Sequence, residues 1–446
     1  MRKITKITYS SGSIAAAISS TAIATYVLFY YVDTLNLNPI LVGIGMTIWA
    51  VWNAINDILV GQLSDKTRSK WGRRIPFIII GGIPLAITTI LVWTPPFTAS
   101  FEGGIPLLIY FTIILLLFDT FYTIVILPWT ALFVEQFSTH EERTEVSSYR
   151  QIFSVIGVIL GTAAPPIIYS TLGFPIMGLI LGIVTGLFVY ISIIGIHERE
   201  EFLADEPLNT WDALKSTFVN RSFITYVLGW FMIEVVIMTV LSSMAFYTKY
   251  VLNASDEFTA FVFLLAFSSA LIFILIWRVI TNKIGSRNAM IFGIIVFGME
   301  LLMFLFIETI QQLLVLAVLL GMGIAPVMLL PDLLIAEVID EDELKTGVRR
   351  EGMYFGANAF VIRLSTVVEA IIISTILTYF GYDSNLSVQP ASVAIGLRLL
   401  VGAIPIIFIA IAIISYIAYP LHGDYLKDIK DQLEELHKKK KEKLKS

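Results

Sequence analysis

Apolar residues come in long runs along this chain, separated by short polar turns, and the length of the runs decides how they are read. A helix that crosses the hydrocarbon of a bilayer needs about 20 mostly apolar residues. Twelve stretches qualify: residues 11–32, 39–63, 75–93, 105–134, 149–170, 176–196, 222–249, 257–281, 289–307, 311–336, 353–380 and 391–419. Each predicts a transmembrane helix, numbered here as spans 1 to 12. The first run lacks a cleavage site and is followed at once by the second, so it is read as span 1 and not as a signal peptide.

Composition agrees. The chain is 57% hydrophobic and 15% charged, against roughly 45–50% and about 25% in soluble globular chains. No single soluble core could hide that excess. The sequence contains 0 cysteines, which excludes disulfides, thiolate metal sites and thiol catalysis. The formal charge of −5 says less than its distribution: the two tails and the even-numbered turns hold 25 of the 30 Lys and Arg residues, and the odd-numbered turns hold none. By the positive-inside rule both termini and the even turns face the cytoplasm of a multi-pass cell-membrane protein.

The longest connection, "HEREEFLADEPLNTWDALKSTFVNR", divides the spans six and six. It defines an N-terminal half (residues 1–196), a linker (197–221), a C-terminal half (222–419) and a basic tail (420–446). In the linker Leu208, Trp211, Leu214 and Phe218 recur at helical spacing, which predicts a short amphipathic helix on the cytoplasmic surface. Six plus six spans is the architecture of the major facilitator transporters, so the expected fold is an all-α membrane protein of twelve helices in two halves. "SDKTRSKWGRR" after span 2 and "TNKIGSRN" after span 8 form a weak internal echo at equivalent places. Proline falls within spans 4, 5, 10 and 12, at Pro128, Pro165, Pro166, Pro326, Pro331 and Pro405, where neighbours or a cavity must satisfy the freed carbonyls.

The four histidines, His140, His197, His422 and His437, lie in cytoplasmic connections or tails. No span offers a histidine cluster, which argues against a metal-dependent membrane enzyme. The chain is read as a non-enzyme with no cofactor. The spans do carry charge, at Asp57, Asp119, Arg150, Glu234, Glu300, Asp332, Arg363, Glu369 and Arg398. Each costs about 2.5–3.5 kcal/mol at the bilayer centre and is a functional candidate for that reason. Glu300 and Arg398 fall on spans 9 and 12, which pack peripherally in such an architecture, and are read as structural.

Asn53, Asn56 and Asp57 share one helical face at i, i+3 and i+4. Converging oxygens with one negative charge suit a monovalent cation, and a single carboxylate suits a proton. An ion held on this face would be H+ or Na+, the coupling ion if the chain is a symporter, and no metal is expected beyond a possible sodium at Asp57. The bland alternative is a polar seam that glues span 2 to a neighbour. Arg363, mid-span 11, needs a carboxylate or a ligand oxygen; Asp119 is a candidate partner and Asn358 precedes it on the same span. Asp119, Tyr122 and Trp129 on span 4, with Asn358 and Arg363, form the expected substrate-binding set, which Arg150 joins through the resemblance given next.

"WNAINDILVGQLSDKTRSKWGRRIPF" and "DEDELKTGVRREGMYFGANAFVIR" resemble the glycoside-pentoside-hexuronide:cation symporters, the group that contains the melibiose carrier. The resemblance implies a cation site on span 2, matched at Trp52, Asn56, Asp57 and Gly61, and a functional arginine on span 5 at Arg150. Arg363 stands where the melibiose carrier has Lys, and Asn358 where it has Gln. Asn53 stands in place of that carrier's second Asp, which leaves one carboxylate suited to a proton. Its two sugar-binding Asp residues match Ala17 and Ile126, so melibiose-like recognition does not carry over. Asp65, Arg68, Arg73, Arg74, Arg349 and Arg350 at the cytoplasmic turns are expected to form an inner gate that breaks and reforms as the halves rock.

The reading is a secondary active transporter, a cation-coupled symporter of a sugar or glycoside. Two alternatives stand beside it: a lysolipid or other amphiphile as cargo, or a non-transporting membrane sensor. Its expected partners are a small-molecule substrate and the lipid bilayer, with no nucleic acid, and it is expected to be a monomer.

Overall fold

The computed structural model describes residues 3–67, 72, 74–99, 104–137, 140–196, 217–347, 350–386 and 388–443, a few helical side chains among them excepted. The described residues are helical throughout the spans. Eleven helices are long and apolar enough to cross a membrane. One of them, Glu145–Ser192, has 48 residues, about twice what a crossing requires. It breaks at Gly173, whose φ of 83° and ψ of 161° interrupt the helix two residues before Pro175. It is therefore spans 5 and 6 joined by a tight reversal, and the eleven helices contain twelve crossings. The reversal has a sequence cause, since a positive φ is open to glycine and a proline cannot continue the preceding ladder.

Other boundaries follow from the same chemistry. Span 2 (Pro39–Lys66) starts where the Asn38 side chain accepts from the Ile40 N–H and Pro39 takes the first turn. Span 10 (Ile310–Thr346) opens on a capping box between Thr309 and Gln312 and closes on Gly347 at φ 75°. Span 1 (Lys3–Phe29) runs on into a π-helical turn, Tyr30–Thr34. Span 12 changes to π geometry at Leu399–Ala403 just before Pro405, where the proline ring displaces the normal ladder. Span 11 is two helices, Glu351–Arg363 and Ser365–Tyr379. Arg363, expected in mid-helix, stands at this break.

The burial pattern is that of a protein in lipid. Ile44, Ile48, Val51, Ile55 and Leu59 on span 2 are all exposed, while Asn56 on the opposite face is 2% exposed. The apolar stripe is the outside. Helices then associate through small residues, because lipid tails are as apolar as leucine. A Cβ on Gly157 of span 5 would come within 2.7 Å of Ala17 on span 1, and one on Gly161 within 2.9 Å of the Ile18 carbonyl oxygen.

Packing groups the chain into two compact units. The first comprises Met1–Pro207, Leu241–Leu264 and Thr366–Leu397; the second comprises Leu208–Val240, Leu265–Ser365 and Arg398–Ser446. In the first, spans 1 and 5 lie along each other and span 4 packs on spans 2 and 3. In the second, spans 9 and 10 pair closely, with Gly293 against the Pro326 ring. There Arg398 donates to the Leu305 carbonyl at 2.8 Å, a local role. The C-terminal helix Gly423–Lys443 lies on span 10, where Tyr425 donates to Glu341.

Candidate coupling and substrate site

The polar face of span 2 meets span 4 (Ile105–Gln136) inside the first unit. The Asn53 amide donates to Asp119 Oδ1 at 2.5 Å. The Asn56 amide lies 3.1 Å from Asp119 Oδ2 and 3.1 Å from the Asp119 carbonyl oxygen. Thr123, one turn after Asp119, donates to Asp57 Oδ1 at 3.0 Å. At the rim the Trp52 indole N–H donates to Thr120 Oγ1 at 3.0 Å. Asp119 is 1% exposed. The seam thus gathers two carboxylates, one from each helix, with amide and hydroxyl groups between them. This is the donor set of a hard, monovalent cation or of a shared proton.

The sequence assigned Asp119 to the substrate and offered it as a partner for Arg363. Its carboxylate accepts from the Asn53 and Asn56 amides of span 2. Asn53 replaces a carboxylate of the resembling family, and it hydrogen-bonds the carboxylate that span 4 supplies. Thr120 and Thr123 were not singled out. The signal for Thr123 was present, since it follows Asp119 by one helical turn, but which neighbour it faces depends on how spans 2 and 4 are set against each other.

Toward the C-terminal end of span 4 an aromatic platform forms. Tyr9 stacks on Trp129 with ring centroids 5.2 Å apart and donates to the Trp129 carbonyl at 2.7 Å. The Arg150 guanidinium lies over the Trp129 ring at 4.7 Å and near the Phe133 ring at 5.1 Å. Such a contact contributes up to about 2 kcal/mol when water is excluded. Arg150 Nε is buried without a hydrogen-bond partner, and among the described residues no carboxylate pairs with Arg150. Tyr122 donates to the Ala16 carbonyl at 3.0 Å, tying span 4 to span 1.

Asn358 and Arg363 belong to the second unit, where Asn358 Oδ1 is buried without a hydrogen-bond partner. Arg350 is held by Asp342 through Nε at 2.8 Å and through a second guanidinium nitrogen. The Asp342 carboxylate raises the Arg350 pKa above its ordinary value. Arg74 is half-buried at the start of span 3. The Asp65 side chain, Arg68, Arg73, Arg349 and most of the linker, including Leu208, Trp211 and Leu214, lie outside the described residues.

A groove of about 560 Å³ opens along spans 2 and 11. Its walls are Ile40, Ile44, Ile48, Ile371 and Tyr379, with Gly43 and Ser374 at the helix contact. The hydroxyls of Thr47 and Ser374 are turned to their own helices' carbonyls, so the lining is mainly alkyl.

The chain belongs to the MFS/sugar transport protein family, whose profile matches residues 8–423. It is a multi-pass membrane transporter of the major facilitator fold and not an enzyme. It is 24% identical to an uncharacterized symporter of Synechocystis sp. over 96% of each chain. It is also 24% identical to sodium-dependent lysophosphatidylcholine symporter 1 of Xenopus tropicalis, over 96% of this chain and 89% of that one. Among solved structures, a mutant of the nucleoside transporter NupG superposes with a TM-score of 0.68 at 15% identity, covering 93% of this chain and 98% of that one. These relatives define the superfamily and are not specific to the melibiose-carrier group.

Proposed function

We propose that the protein is a sodium-coupled symporter whose cargo is an amphiphile with an anionic head group, with both termini in the cytoplasm. The observation that carries the coupling is the seam of Asn53, Asn56, Asp57, Asp119 and Thr123. A single carboxylate would suit a proton. A second one, brought by span 4 to the position opposite Asn53, supports a cation bound by several hard oxygens, as do the sodium-dependent relatives. Binding of the ion in the seam changes how span 2 holds span 4, and that gives the coupling step of alternating access a physical handle.

Three features favour an amphiphile over the sugar that the sequence motifs first indicated. Ala17 and Ile126 remove the sugar-binding carboxylates. Arg150, on an aromatic platform with no carboxylate partner among the described residues, is suited to a phosphate or similar anion. The alkyl-lined groove opens where Ile40, Ile44 and Ile48 are exposed on the membrane surface. Asn358 and Arg363 complete the proposed substrate set, and Asp65, Arg68, Arg73, Arg74, Arg349 and Arg350 the inner gate.

Purified protein in sealed vesicles tests both parts. A lysophospholipid should accumulate when an inward sodium gradient is imposed, and an excess of melibiose or sucrose should not compete. Uptake driven by a pH gradient alone would return the ion to the proton, and competition by the sugars would return the cargo to the glycosides.

A further inference from the structure

Away from the seam, on the side of the odd-numbered turns, a second charged cluster joins three spans. Asp33 lies in the π-helical turn Tyr30–Thr34 that ends span 1, and its side chain is 3% exposed. Lys249, at the end of span 7, donates to it at 2.5 Å. Tyr250 donates to it as well, and Tyr382, just beyond span 11, donates at 2.7 Å. One buried carboxylate is thereby held by an ammonium and two phenols.

A second layer joins the same three spans deeper in the membrane. Ser242 of span 7 lies within hydrogen-bond distance of Glu369 of span 11 at 2.5 Å and of the Ala24 carbonyl of span 1 at 2.7 Å. Seven residues separate Ser242 from Lys249, or about 10 Å along a helix. Between the layers Phe246 meets Phe29 at 5.0 Å and Tyr382 at 5.8 Å, centroid to centroid. A separate observation points the same way: packing assigns Leu241–Leu264 and Thr366–Leu397 to the unit containing span 1. The remainder of spans 7 and 11 is grouped elsewhere. The boundary within each span falls next to Ser242 and Glu369.

We infer that Asp33 is the hub of an outer gate, and that its release from Lys249, Tyr250 and Tyr382 is the step that opens the protein to the extracytoplasmic side. Nothing in this role depends on which cargo is carried. A fixed structural pair would be expected to stay closed throughout the cycle. This hub instead couples one carboxylate to three spans at once, so losing it loosens all three at that end together. The ammonium partner is 41% exposed, so it can move into water when the carboxylate leaves. Opening therefore strands only one buried charge, and that charge gains water as the gap widens.

The chain has 0 cysteines, so single thiols report access without background. Thr25, 0% exposed and near Ala24 of the deeper layer, is the reporter. With Thr25→Cys alone, a membrane-impermeant maleimide added outside should label slowly. Adding Asp33→Asn should raise the labelling rate about fivefold or more, because the equilibrium shifts toward the open form. Tyr250→Phe with Tyr382→Phe, which keeps the ion pair, should raise it by about twofold. In the pair Asp33→Cys and Lys249→Cys, oxidation should block uptake, and a reductant should restore it. The labelling arm reads the gate even if the cargo assignment fails, since labelling needs no cargo. A labelling rate in Asp33→Asn equal to that of the parent reporter, or full uptake by the cross-linked pair, would overturn the inference. Should Asp33→Asn fail to fold, an unchanged rate in the double tyrosine variant overturns it equally.

Discussion

The coupling seam and the outer hub solve the same problem in different ways. Both bring carboxylates into the membrane. In the hub, Asp33 is met by a lysine ammonium and two phenols. In the seam, Asp57 and Asp119 are met by asparagine amides and a threonine hydroxyl. The hub carries its own counter-ion and is suited to locking. The seam gathers two acids with amide and hydroxyl partners, and in our reading it takes up an ion from solution. A transporter needs both: a site whose charge is balanced by the transported ion, and a contact whose charge is balanced only when closed.

The sharpest way to break this comparison is Asp57→Asn. We expect gradient-driven uptake to fall at least about 20-fold, with membrane expression and detergent elution unchanged, because the shape is kept and the charge lost. Uptake at the parent rate would remove Asp57 from coupling. Asp119→Asn should lower sodium stimulation by about tenfold, equivalent to about 1.4 kcal/mol of binding. Adding Asn53→Asp to Asp119→Asn moves the carboxylate back to span 2 and should recover part of the loss. If the double variant is no better than Asp119→Asn, the two positions do not share one ion.

Arg363 and Arg150 sharpen the substrate side. Arg363→Ala should cut uptake about fivefold and Arg363→Lys by less, since lysine keeps the charge. Equal activity in both would make it a packing charge. Arg150→Lys should weaken uptake of an anionic lysolipid about threefold, because a compact ammonium stacks less well on Trp129 than a planar guanidinium does. A neutral amphiphile of the same chain length should be affected less. An equal loss for both would remove the head-group assignment.

Much of the molecule can be read in one dimension. Apolar runs longer than a bilayer crossing, and the near-absence of Lys and Arg from alternate turns, are properties of consecutive residues, and they determined the spans and the fold class. Gly173 with Pro175, and Pro39 after Asn38, are local rules that mark helix ends. Asn53, Asn56 and Asp57 stand on one face because of helical spacing alone. What they face is another matter. Asp119 is 66 residues from Asn53, and Lys249 is 216 from Asp33. In hydrocarbon the apolar pattern leaves the rotation of one helix against another only weakly specified, because the outside is as apolar as the inside. The register that sets Asp119 on the two asparagines goes with close packing of the same two helices at Gly45 against Phe111. That packing exists only once the helices have assembled.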